Sequence, residues 1–167
     1  MTPHFPLFAD LRGRAVLLVG AGHVAARKAE ALLHAGARLR VVARDLSAPF
    51  QDWLAAGQME HISTAFAPAQ LDGVFLAVAA TDDHALNTQV FQAAEAAGKL
   101  CNVVDNPALC SYIVPAVIDR APLQIAISSA GTAPVLARHW RQRIETLIPA
   151  HTGKLAEIAG RCRALVK

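Results

Sequence analysis

Gly20, Gly22 and Ala25 stand in the pattern G-x-G-x-x-A, directly after five apolar residues, Ala15–Val19. Residue types at that spacing suit the diphosphate of a dinucleotide. Gly20 permits a tight turn, and Gly22 lets backbone approach a phosphate with no Cβ in the way. Ala25 is small enough for a helix to settle against the preceding strand. A helix opening here offers free N–H groups and the positive end of its dipole to the phosphates. The pattern alone is weak, because the same residues also make a strand-to-helix turn that binds nothing.

Two further groups carry chemical interest. The usual fingerprint closes its second strand with an acid that holds the adenosine ribose hydroxyls; here that region reads Val42-Ala43-Arg44-Asp45. Arg44 suits a 2′-phosphate and so NADP, whereas Asp45 suits the free ribose of NAD, and both readings stand at this point. Farther on, Ser128-Ser129-Ala130-Gly131-Thr132-Ala133-Pro134 lies just ahead of Arg138. Hydroxyls and free N–H groups beside an arginine make a second anion-holding loop, or simply a capped helix start.

The elements that must position these groups follow from the apolar pattern. Ala15–Val19 is a short, continuous apolar run, the mark of a strand buried on both faces. From Val24 to Ala35 small and apolar residues share one helical face, closed by Gly36, and residues 38–43 return to strand character. Ser47 starts a helix to residue 56, ended by Gly57. Residues 60–63 make a weak third strand, and Val74–Ala79 is the strongest after the first. Thr81, Asp82 and Asp83 form an N-cap cluster for a helix over residues 84–97, and residues 101–104 form a fifth strand. Residues 5–11 are apolar and are expected to pack under the first strand.

This alternation predicts a doubly wound α/β fold with a parallel sheet in the order 3-2-1-4-5. Ligands in such sheets collect beyond the carboxyl ends of the strands, where the order reverses. Gly20–His23, Arg44, residues 79–82 (with Thr81 and Asp82) and residues 104–106 all fall on that edge. Beyond it, residues 111–119 and 123–129 read as an antiparallel hairpin about Arg120-Ala121-Pro122. A lone hairpin is marginal, so it is expected to pair with another chain or dock on the main sheet. Pro134 suits the first turn of a helix over residues 135–148, with Thr132 or Ala133 near its cap. A last helix covers residues 152–166.

Composition narrows the classes. Of 167 residues, 54 % are hydrophobic, and no apolar run approaches membrane-spanning length. No basic segment precedes an apolar one at the N-terminus, so a signal peptide is not expected. Cys101, Cys110 and Cys162 are odd in number and lack metal-ligand spacing, which reads as reduced thiols in a cytoplasmic protein. The seven histidines are scattered, so no preformed metal site is expected. The net charge of +3 is uneven: residues 138–167 hold seven Lys or Arg against Glu145 and Glu157. That basic tail is a solvated helical face or a lure for an anionic ligand. Only Tyr112 and Trp140 are aromatic beyond residue 100, with no interleaving of basic and aromatic groups, which excludes a nucleic-acid surface of the stacking kind.

Six stretches taken together resemble a known family. They are Leu17-Leu-Val-Gly-Ala-Gly-His-Val-Ala-Ala-Arg-Lys28, Ala35-Gly-Ala37, Ala77-Val-Ala-Ala-Thr-Asp-Asp83, Cys101-Asn-Val-Val-Asp105, Ile118-Asp-Arg-Ala-Pro-Leu123 and Ser128-Ser-Ala-Gly-Thr-Ala-Pro-Val-Leu-Ala-Arg138. The chain is similar to the precorrin-2 dehydrogenase and sirohydrochlorin ferrochelatase part of siroheme synthases. The resemblance implies a Rossmann-like domain over residues 1–112, a dimerisation hairpin and helix over 113–148, and the start of a helical segment over 149–167. It implies NAD-dependent oxidation of precorrin-2 to sirohydrochlorin by a homodimer, and in many members insertion of Fe²⁺ as a transient partner. Nucleotide contacts map to His23, Val24, Arg44 and Asp45, the key acid to Asp105, and a phosphorylation site of some members to Ser129. Many members continue past the point that matches Lys167, some into a uroporphyrinogen methyltransferase domain. The chain is therefore expected to be a piece of a longer protein or a short stand-alone form.

Oxidation by hydride transfer needs a nicotinamide held against the substrate carbon and a group to take a proton. Under the resemblance that group is Asp105, at the end of a strand with Asn102 and Asn106 nearby; otherwise it closes a turn before Asn-Pro. Precorrin-2 carries eight carboxylates, so its site should be cationic and rich in donors. Arg120, Arg138, Arg141 and the loop of Ser128, Ser129, Gly131 and Thr132 meet that description. A competing class is a nucleotide-sensing module that binds NAD without turning anything over. A short-chain NADP reductase is excluded, since the sole tyrosine, Tyr112, has no lysine four residues on.

Overall fold

The computed structural model describes residues 4–165. These fall into two compact units, Phe5–Tyr112 and a second that begins at Ile113. Met1–Pro3, at the start of the apolar lead-in, and Val166, the expected end of the last helix, lie outside the described residues.

The first unit is a five-stranded parallel sheet flanked by helices. Its strands are β1 (Ala15–Val19), β2 (Arg38–Val42), β3 (Met59–Ser63), β4 (Val74–Ala79) and β5 (Leu100–Val103), in the order β3-β2-β1-β4-β5. This is the order read from the sequence. The linking helices are α1 (His23–His34), α2 (Ala48–Ala55) and α3 (His84–Ala96). Alternation along β1 feeds two separate cores. Val16 and Leu18 pack with Ala25, Ala29 and Phe50 on one face, and Leu17 and Val19 with Val90 and Ala94 on the other. Both faces are therefore covered, which is why β1 is apolar at every position. Ala25 and Ala29 are fully buried, so the small face of α1 lies hard against the sheet.

Three local readings need correction. The lead-in does not pack under β1: Phe5, Leu7 and Phe8 are 87 %, 66 % and 62 % exposed, and only Leu11 reaches the core. The segment instead turns on polar contacts, with Arg12 gripping Asp10 through two side-chain bonds of 2.9 and 2.8 Å. Ser47 sits at the N-cap of α2, yet its hydroxyl is buried and makes no capping bond. The hairpin strand begins at Ala116, not at residue 111, because Ser111 is tied to β5. Its amide donates to the Cys101 carbonyl at 2.9 Å, and its hydroxyl accepts from the Cys101 amide at 2.7 Å. Pro115, with no N–H to give, then ends any continuation of pairing.

The second unit holds β6 (Ala116–Arg120), β7 (Leu123–Ile127), α4 (Pro134–Leu147) and α5 (Thr152–Leu165). β6 and β7 are antiparallel and form a sheet of their own, separate from the five-stranded one. Their turn contains a cis Ala121–Pro122 bond. The start of α5 approaches that turn so closely that a Cβ on Gly153 would collide with the Ala121 carbonyl. At the same end of the hairpin, Arg120 bonds the Ile148 carbonyl at 3.3 Å and Glu145 at 3.4 Å, tying β6 to the end of α4. Arg141 reaches the same Glu145 carboxylate at 2.6 Å.

Candidate cofactor and catalytic site

The carboxyl ends of the strands in the first unit are stitched together by backbone bonds between neighbouring loops. The Gly20 amide donates to the Val42 carbonyl at 2.8 Å, and the Ala80 amide to the Val19 carbonyl at 2.8 Å. The Val104 amide donates to the Ala79 carbonyl at 2.9 Å. The loops carrying Gly20–Ala25, Arg44–Asp45, Thr81–Asp82 and Asp105 therefore leave one continuous edge of the sheet. Every cofactor residue expected there, and Asp105, is on it.

Gly20 and Gly22 have different physical reasons. Gly20 has φ 109° and lies against the next loop; a Cβ there would strike the Ala80 carbonyl, with the Ala80 carbonyl carbon only 2.8 Å away. Gly20 thus sets how closely β1 and β4 can end side by side. Gly22 is exposed, and a Cβ there would meet nothing within 4 Å. No part of the fold demands a glycine at position 22. The open space in front of it fits a diphosphate approaching the backbone, as the fingerprint requires.

Gly22 is also the N-cap of α1, with no side-chain cap and no acid in the first turn. The amides of the opening turn, at His23, Val24 and Ala25, precede the first helical donor, Ala26, which bonds the Gly22 carbonyl at 3.0 Å. They are directed beyond the sheet edge, where an anion is favoured. His23 and Val24 are exposed and Ala25 is buried, so the first two flank the opening while the third packs the helix down. Arg44 and Asp45 are exposed just past β2. The Ser47 amide bonds the Ala21 carbonyl at 3.3 Å, so the loop after β2 is anchored to the glycine loop.

Thr81 is held by a residue that the sequence did not single out. Asn87, buried in α3, accepts from the Thr81 hydroxyl at 2.7 Å and donates to the Thr81 carbonyl at 2.8 Å. Asp83 caps the same helix by accepting from the Leu86 amide at 2.9 Å, and Asp82 stays exposed between them. A buried asparagine near the start of a helix is the one signal that could have found Asn87, because an unpaired amide there would be costly. Asp105 is exposed on the turn after β5, with φ 59°.

The expected substrate residues lie in the second unit. Ser128 accepts from the Ala130 amide and Ser129 from the Ala133 amide, both at 3.0 Å, so both hydroxyls shape the entry to α4. Ala130 and Gly131 sit at φ 52° and 81°, which bends the loop sharply. Thr132 follows, and Arg138 is exposed on the first turns of α4. Arg120 is not with them. It pairs with Leu123 at the turn of the hairpin, while Ser128 follows Ile127 at the other end, and its guanidinium is already engaged. Among the described residues, no group of three or more His, Cys, Asp or Glu is placed to hold a metal ion. No helix among them is long and apolar enough to cross a membrane.

Residues 7–116 match the NAD(P)-binding family NAD_binding_7, a span that includes the whole sheet and its carboxyl edge. The chain belongs to that family. Residues 120–147 match a second family, described as sirohaem biosynthesis protein, central. Siroheme synthase 1 of Serratia proteamaculans is 52 % identical over 164 residues, 98 % of this chain and 34 % of that protein. Siroheme synthase of Photorhabdus laumondii is also 52 % identical, over 98 % of this chain and 35 % of its own length. The chain thus spans about a third of the length of the curated relatives it matches. A solved structure, SirC, precorrin-2 dehydrogenase, superposes with TM-score 0.82 at 29 % identity, covering 98 % of this chain and 80 % of that one.

Proposed function

We propose that this chain oxidises precorrin-2 to sirohydrochlorin with NAD as hydride acceptor. The observation that carries the reading is a shared edge: the open Gly22 turn and Asp105 leave the same carboxyl side of one sheet. The likeness to SirC along nearly the whole chain supports it. Bound NAD supplies a two-electron acceptor for the hydride.

This chain's residues do the rest. The first-turn amides of α1 bind the diphosphate, and Gly22 keeps that approach clear. Arg44 and Asp45 meet the adenosine ribose, and Thr81, braced by Asn87, and Asp82 border the cofactor between β4 and α3. Asp105 accepts the proton that leaves as the adjacent carbon gives up its hydride, so one C–H and one acidic hydrogen are lost together. Arg138 and the loop of Ser128, Ser129, Gly131 and Thr132 supply charge and donors for the substrate carboxylates. Arg120 acts behind them by fastening the hairpin to α4.

We extend the reading to a homodimer in the cytoplasm. The isolated β6–β7 hairpin and the exposed Val135, Leu136, Trp140 and Leu147 leave an apolar surface in the second unit that a second copy would cover. Transient handling of Fe²⁺ by Asp105 during metal insertion belongs to the same proposal and is checked by siroheme formation from sirohydrochlorin. The dehydrogenase itself is tested by NADH absorbance on mixing protein, NAD and precorrin-2. Steady NADH formation is expected; NAD uptake without any NADH would favour the sensing module.

A further inference from the structure

We infer that Cys110 is a positioning residue for Asp105, its thiol pinning the turn on which the carboxyl group stands. The inference rests on the reading of Asp105 as proton acceptor. Asp105 occupies the left-handed region at φ 59°, which is uncommon for a residue with a Cβ although aspartate tolerates it better than most, so bonds from its neighbours decide how firmly the turn keeps that shape. The residues around it show what does the holding. The Cys110 sulfur lies 3.2 Å from the Val103 carbonyl and 3.2 Å from the Asn106 carbonyl. Those two carbonyls bracket Asp105 in the chain, one before it and one after. A single S–H proton serves both, so the thiol sits as a peg inside the loop.

The peg is itself fixed. Asn102, buried on β5, donates to the same sulfur at 3.4 Å and to the Tyr112 carbonyl at 3.1 Å. Cys110 and Asn102 also face each other as an isolated antiparallel bridge. Burial raises the thiol above its ordinary range, so at neutral pH the sulfur keeps its proton and remains a donor. Besides the thiol, the turn has backbone bonds from the Val104 amide to Ala79 at 2.9 Å, from the Asn106 amide to Val103 at 3.3 Å and from the Leu109 amide to Asn106 at 3.1 Å. Those bonds close the loop, and the thiol adds two ties to the backbone on either side of Asp105, from which its carboxyl group projects. A small misplacement of a reacting group is enough to slow a reaction by up to about 10²-fold.

The test compares Cys110→Ala, Cys110→Ser, Asp105→Ala and the Asp105→Ala/Cys110→Ala double variant in the full chain. Each is assayed with precorrin-2 and NAD, and the crystal structure of Cys110→Ala is solved. The expected result is a kcat about tenfold lower for Cys110→Ala, with KM for both substrates within about twofold. Cys110→Ser should recover most of the rate, because its hydroxyl restores the donor. The double variant should be no slower than Asp105→Ala alone, since a residue acting only through Asp105 has nothing left to position. In the Cys110→Ala crystal Asp105 should leave the left-handed region. Full activity of Cys110→Ala beside a slow Asp105→Ala overturns the role of Cys110 alone, as does an unchanged Asp105 backbone. A rate unaltered in Asp105→Ala overturns the proton-acceptor reading, and this inference with it.

Discussion

A Cβ at Gly20 runs into the Ala80 carbonyl, whereas one at Gly22 meets empty space, so two glycines of one motif answer to different masters. Gly20→Ala should destabilise the fold by about 1–3 kcal/mol, read as a lower urea midpoint, because backbone must move to admit the methyl group. Gly22→Ala should leave stability within about 0.5 kcal/mol, yet weaken NAD binding at least about tenfold in calorimetry. Loss of stability without loss of affinity at Gly22 would contradict its assignment to the phosphate. Sequence alone placed both residues but assigned Gly22 its role only by analogy with the motif; the open space in front of it is consistent with that proposed role. Asn87 was not singled out, and Cys110 was read only as a reduced thiol, for the opposite reason. Their meaning comes from bonds to Thr81 and to the Asp105 turn that only the folded chain brings within reach.

At the level of the elements, the sheet was readable because its central strands, β1 and β4, are buried on both faces and bounded by glycines and helix caps. Leu17 is a case in point: fully buried in β1, it packs beneath α3 with Val90 and Ala94. Leu17→Ala should cost about 2–5 kcal/mol in chemical denaturation, since the cavity lies between two rigid layers. A cost below about 1 kcal/mol would mean that this face is not packed as described. Short apolar stretches outside the sheet were harder. Phe5, Leu7 and Phe8 look like core in sequence but stand exposed, and residues 111–115 look like strand but are held to β5 by Ser111. In both places composition signals burial or pairing, while side-chain bonds to Asp10 and to Cys101 decide the path.

Over the whole molecule, buried titratable groups and uneven charge set how it responds to solvent. Burial pushes the Cys101 thiol from 9.0 up to about 12 and raises the Tyr112 hydroxyl as well. Folded protein therefore keeps protons that the unfolded chain releases, so this contribution is complete below pH about 9 and is lost as pH rises toward 12. The melting temperature should fall across that interval, and less steeply in Cys101→Ala; an equal slope in the two proteins would remove Cys101 as a cause. The seven basic residues from Arg138 onward predict that added salt weakens precorrin-2 binding more than NAD binding. Equal salt effects on the two ligands would count against Arg138 as a substrate contact. The proposed reaction stands most directly on the absorbance at about 340 nm after precorrin-2 and NAD are mixed with the chain and with Asp105→Ala at matched NAD affinity. The account predicts NADH from the first and a rate about 10²–10⁴-fold lower from the second; equal rates from both, or no NADH from either, would contradict it.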